Sequence, residues 1–135
     1  MDTRPRRLPS RELYVRPRDL AYLVSGSLPV DARRACEPDL LGSYHATLEA
    51  NGVTGYSFED MMMDYRRGLL IAMAIPVNGF GTIEQMLETG GGDHDQEQRT
   101  LFDQAMASGM QLISAMSNRT VAAIIDNNAG MALDR

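Results

Sequence analysis

No lysine occurs in this chain of 135 residues, and no tryptophan. Without lysine there is no Schiff base, no P-loop lysine and no phosphate-pairing lysine of the protein-kinase kind. A single cysteine, Cys36, excludes an internal disulfide and fits a reducing compartment. No stretch approaches the roughly 18 apolar residues of a membrane span, and residues 69–77, the most apolar segment, fall far short. The N-terminus has arginine but no apolar run for a signal peptide. Alternating β-branched runs bounded by turns are missing as well, as are internal repeats. These absences predict a cytoplasmic, soluble, all-α protein with no membrane partner.

What is present is unevenly charged. Residues 1–18 hold six arginines against Asp2 and Glu12, a net +4, whereas the remaining seven arginines face sixteen acids, a net −9. Residues 1–15 read as a basic, flexible arm and residues 16–135 as a single helical domain, long enough to bury roughly 70% of its unfolded surface. Clustered arginine can neutralise phosphates, but the body is acidic and no recognition motif accompanies the arm, so no nucleic-acid partner is expected.

The organising stretch is YSFEDMMMDYRRGLLIAMAIP, residues 56–76. Ser57 is placed to cap a helix, with Asp60 completing a capping box and Tyr56 and Met61 positioned as a staple. Phe58, Met61, Met62, Tyr65, Leu69, Ala72 and Met73 then recur at helical spacing, and Pro76 should end or kink the helix. Before it, residues 19–28 read as a short helix with Leu20, Leu23 and Val24 on one face. Residues 30–51 read as helical, with Leu40, Leu41, Tyr44 and Leu48 inward, a fresh start favoured at Pro38 and Asn51-Gly52 as a stop. After it come a glycine-containing turn over 77–81 and a short helix over 82–89 capped by Thr82. A flexible loop through Gly90–Gly92 and His94 leads to a long helix from about Asp95 to Asp126. Its inward residues are Leu101, Phe102, Ala105, Met106, Met110, Leu112 and Ile113, and its tail frays.

Few residues carry chemistry. His45 and His94 lie in distant segments, and with Cys36 they give no zinc spacing. Asp93-His94-Asp95 reads as a solvated acidic cluster, so no metal is expected. Cys36 and His45 are too far apart along one helix to form a nucleophile pair. Gly90–Gly92 lacks the spacing, the lysine and the preceding strand of a phosphate cradle, and no cofactor is expected. Met61–Met63 read as gap-filling core rather than a ligand groove. Asp60 and Asp64, one turn apart, are suited to a cationic substrate or acid–base work, against the plainer reading of a solvated face.

Taken in order, RPRDLAYLVSGSL (residues 16–28) and VDARRACEPDLLGSYHATLEANGVTGYSFEDMMMDYRRGLL (residues 30–70) resemble the carboxy-terminal helical region of aminoglycoside phosphotransferase-like and choline-kinase-like small-molecule kinases. The likeness covers roughly residues 16–77, with a looser echo in 119–126; Pro38 departs from the family's uninterrupted helix. It implies a bundle of about five helices like the helical part of the kinase-like C-lobe. Asp19 is similar to the aspartate that braces the catalytic loop in that family, or here caps the first helix. Tyr44, Asp64, Tyr65 and Arg66 match positions in the subdomain near the substrate cleft, so with Asp60 they are the candidate substrate-binding residues. Asp19 and Ser57 are the candidate structural ones.

The family's nucleotide lobe, His-Gly-Asp-x-x-x-x-Asn catalytic loop and metal-binding aspartate would precede the segment that starts here. The expectation is therefore a truncated phosphotransferase-like helical subdomain with no catalytic residue of its own, incompetent alone and retained as a remnant or as the partner of a separately encoded catalytic lobe. The alternative is a non-enzymatic helical module that forms a homodimer or binds an apolar ligand, using the surface around Tyr22, Leu23 and the 57–76 helix.

Overall fold

The computed structural model describes residues 10–89 and 95–134. They form five α-helices and a 3-10 turn: α1 (Ser10–Ser27), α2 (Val30–Ala50), α3 (Phe58–Ala72), α4 (Ala74–Thr89), α5 (Gln96–Asp126) and the closing turn Ala129–Leu133. The described residues are all-α, as the periodicity predicts. Residues 1–9, most of the expected arm, and Gly90–Asp93 with His94 lie outside the described residues.

Helix α3 is the hub, packed on every other helix and most extensively on α1. Its start is set locally. The Ser57 hydroxyl accepts from the Asp60 N–H at 3.1 Å while the Asp60 carboxylate accepts from the Ser57 N–H at 3.3 Å. That closes the capping box. Of the staple pair, Met61 belongs to the core cluster of Ala21, Leu41, Met61, Tyr65, Leu69, Ala123 and Ala129, and Tyr56 packs against it. Met63 is buried where Phe58 was expected; Phe58 is exposed and sets its ring edge-on to His45 at 5.7 Å.

Helix α2 ends as Asn51-Gly52 predicts. Gly52 takes a left-handed φ of 85°, its N–H reaches Glu49 O and the Val53 N–H reaches Leu48 O, the paired bonds of a Schellman stop. Helix α2 does not restart at Pro38, however; it is one helix of 21 residues. The carbonyl left without its N–H, that of Arg34, is on an exposed residue that water reaches, while Arg33 and Glu37 anchor the opposite side in the interior.

Three further expectations are corrected. α1 starts at Ser10 rather than Asp19 and runs through Pro17, which is fully buried. The expected turn at 77–81 is helix: α3 breaks only at Met73, and α4 continues through Pro76, Gly79 and Gly81. Proline is tolerated there because it sits in the first turn of the new helix. Gly79 is used for close approach, since a Cβ there would stand 2.8 Å from Ile113 Cδ1. Thr82 accordingly does not cap but donates its hydroxyl to Asn78 O. The tail does not fray. Asn128 turns the chain at a left-handed φ of 49°, and the turn after it buries Ala129 and Ala132 against α3.

Helices α4 and α5 pair as a hairpin, with Ile83 Cδ1 only 3.3 Å from where a Cβ on Gly109 would stand. Most of the apolar side chains there stay outside. Of the residues expected inward on α5, Leu101 and Leu112 are each 60% exposed. Read across the bend, Phe58–Thr89 is long and apolar enough by composition to cross a membrane. In this fold Met61, Met63, Tyr65, Leu69 and Ala72 of its first half are buried, while of its 18-residue apolar window only 22% is.

Candidate functional site

Under the surface where α2, α3 and the end of α5 meet lies a connected polar cluster. Arg33, completely buried, ion-pairs with Glu37 one turn along α2 and with Asp126 at the end of α5. Glu37 also accepts from Tyr65 Oη at 2.6 Å and from Asn127 Nδ2 at 3.2 Å. Arg34 grips Asp126 from outside through Nε at 2.8 Å, and Arg66 Nε donates to Asn127 O at 2.9 Å. Two arginines drive the Asp126 carboxyl down to about 2, chiefly through the Arg34 and Arg33 hydrogen bonds. Burial first, and then the Glu37 carboxylate, raise the Tyr65 phenol. The cluster is a fastener: it ties α2 and α3 to the C-terminal turn.

A second cluster pins the loop before α3. His45 Nε2 donates to Tyr56 O at 2.8 Å. Tyr56 Oη donates to Asp64 at 3.0 Å, and Asp64 also accepts from Arg67 at 3.1 Å. Burial and then Asp64 raise the Tyr56 phenol.

The candidate substrate residues are thus spread over both clusters and do not converge. Tyr65 is buried with its hydroxyl on Glu37, Arg66 holds the tail, and Asp64 is half-buried between Tyr56 and Arg67. Asp60 caps α3 through Ser57, and Tyr44 is half-buried against the core. Glu37 and Asn127 carry no signal in the sequence, and Arg33 and Asp126 enter there only through the resemblance, not as site residues. An Arg and a Glu one turn apart look like a surface pair there, and only the arrival of Asp126 from 93 residues away reveals the burial.

Near the segments behind the resemblance, a groove of about 310 Å³ opens where α1 crosses the α3–α4 bend. Arg18, Asp19 and Tyr22 form one wall, and Gly68, Ile71 and Ile75 the other. Asp19 lies well inside α1, which runs Ser10–Ser27, so it does not cap that helix. It stands exposed at the mouth, and Tyr22 and Leu23 are exposed beside it. The groove offers a carboxylate, a guanidinium and a phenol but no nucleophile paired with a base. Among the described residues, no three His, Cys, Asp or Glu side chains converge as metal ligands. No protein-family model, curated protein or solved structure matches the chain.

Proposed function

We propose that this chain is the helical, substrate-side part of a phosphotransferase of the aminoglycoside and choline kinase type, and that it transfers no phosphate by itself. The observation that carries the reading is where the segments behind the resemblance meet. Gly68 of DYRRGLL faces PRDLAY so closely that a Cβ would stand 2.8 Å from Ala21 Cβ and 2.9 Å from Arg18 Cα. The Tyr-His of α2 meets the YSFE turn through His45 and Tyr56, and the Arg-Arg pair meets Asp126 in the 119–126 echo. Contacts between these segments hold part of the body together, as a common helical scaffold would require. Phosphoryl transfer depends on placing nucleotide, metal and nucleophile together, and none of the groups described here does that.

In this reading the groove at Asp19 and Tyr22 faces the catalytic lobe. The test is co-expression with a chain that carries a nucleotide lobe and a His-Gly-Asp-x-x-x-x-Asn loop. A stable complex, lost on Tyr22→Arg and kept on Leu87→Arg at the far end of the hairpin, is expected. A complex indifferent to Tyr22→Arg, or none at all, contradicts the reading.

A further inference from the structure

The α4–α5 hairpin has two unlike sides. On one, Phe80, Leu87 and Met110 line a cavity of about 470 Å³ bordered by the carboxylates of Glu84 and Glu88. The other side carries no charge along its length. On α4 it consists of Ile75, Asn78, Thr82, Met86 and Thr89, at spacings of three and four residues, all exposed. On α5 it consists of Leu101, Ala105, Ser108, Leu112 and Ala115 at the same spacings, exposed except for half-buried Ala115. Both stripes flank the seam where Gly79 and Ile83 meet Ile113 and Gly109. The two threonines do not make this face polar: each hydroxyl donates to its own helix, Thr82 to Asn78 O and Thr89 to Gln85 O. The face can therefore be desolvated without stranding those donors.

We propose that this face is covered by a second copy of the chain, two α5 helices running antiparallel across a two-fold axis at Ser108. The partner presents the same stripe reversed about that residue. Leu101 then falls opposite Ala115, while Leu112 falls opposite Gln104, one residue out of register with Ala105. Ser108 meets its own copy on the axis, where one hydroxyl donates to the other, so this polar group too has a partner when the face is covered. The same reversal brings Glu97, one turn before Leu101, toward half-buried Arg119, one turn after Ala115, whose Nη1 within its own chain donates to Gly26 O at 3.3 Å and Ser27 O at 3.4 Å. Small side chains at the centre, Ala105 and Ser108, let the helices approach closely, and the absence of charge matches the core of a protein interface. Each stripe is roughly 22 Å long at 1.5 Å per residue, and two adjacent helices span roughly 20 Å. The outline is about 450 Å² per copy, or about 900 Å² for the pair before side-chain relief is counted, close to the ~1,000 Å² at which specific interfaces begin. A partner with basic residues would instead select the other side, where Glu84 and Glu88 stand. The observations behind this inference are not those behind the phosphotransferase reading, but Ile75 and Asn78 belong both to this face and to the groove beside α1.

The test is sedimentation equilibrium or light scattering on the full chain, with circular dichroism as a check on folding. The wild type is expected to be a dimer at about 10 µM. Leu101→Glu/Leu112→Glu is expected to weaken the dimer by at least about a hundredfold, and Leu87→Glu to leave it unchanged. Should the double variant lose helicity, cross-linking decides. With Cys36→Ser as background, Ser108→Cys, which replaces one atom, joins two chains through a short bis-maleimide and exposed Ala107→Cys does not. A wild type that stays monomeric at roughly 100 µM overturns the proposal. So does a dimer sensitive to Leu87→Glu alone, or cross-linking at 107 in preference to 108.

Discussion

Glu37→Leu is the single substitution with the most to remove. It leaves the fully buried Arg33 guanidinium with only Asp126 as counter-charge, takes the acceptor from Tyr65 Oη, and leaves Asn127 Nδ2 with Ala123 O alone. Breaking one partner out of a buried ion pair costs about 3–5 kcal/mol, much of it the stranded charge. Small domains have about 5–15 kcal/mol in all. A loss near 4 kcal/mol is expected, read as a fall of about 2 M in the urea midpoint if the slope is about 2 kcal/mol per M. Arg33→Met/Glu37→Leu removes the charge as well as its partner. It also removes Arg33 Nε, which is buried without a hydrogen bond, so the double variant should recover at least about 2 kcal/mol of the single variant's loss. Urea unfolding followed by circular dichroism, at one fixed protein concentration, gives all four corners of the cycle. Additive losses, with the double variant worse than either single one, would refute a buried, coupled Arg33–Glu37 pair.

Three other substitutions probe the packing and the fastener. Gly68→Ala sets a Cβ within 2.8 Å of Ala21 Cβ and 2.9 Å of Arg18 Cα, so α1 and α3 must separate; a loss of about 1–3 kcal/mol is expected. Gly42→Ala, in α2 with nothing within 4 Å, should instead gain up to about 1 kcal/mol, and thermal melts of the two variants check the opposite signs. The Asp126 carboxyl is held at about 2 in the folded chain against an ordinary 3.8. Its contribution is therefore complete above pH ~4 and disappears as pH falls toward 2, so acid unfolding of Asp126→Asn should be flatter across that window.

The parts of the fold that were readable from the sequence are those set by neighbours along the chain. Ser57 and Asp60 make the α3 cap within four residues, and Asn51-Gly52 makes the α2 stop within six. Where a distant contact decides, local rules mislead. Pro38 signals a restart, yet Arg33 and Glu37 are bound to Asp126 and Tyr65, and that clamp holds α2 as one helix through the proline. Gly79 and Gly81 signal a turn, yet Gly79 is needed for Ile113 to come close. Ala129 and Ala132 carry no periodic signal, being small, but they fit beneath α3 for that reason. The site followed the same division. Asp64 and Tyr65 were readable as notable residues, whereas their occupation by Tyr56, Arg67 and Glu37 came only from tertiary packing. Leu101 and Leu112 show the converse: their spacing announces a buried face, and among the described residues nothing buries them.

Magnesium-dependent phosphoryl transfer by the purified chain alone bears most directly on the reading of this body as the non-catalytic side of a phosphotransferase. With ATP and a panel of aminoglycoside and choline-type acceptors, phosphorus NMR is expected to show no product above the protein-free control. Turnover that follows the chain through purification and is abolished by Asp64→Asn, with the fold intact, would contradict it.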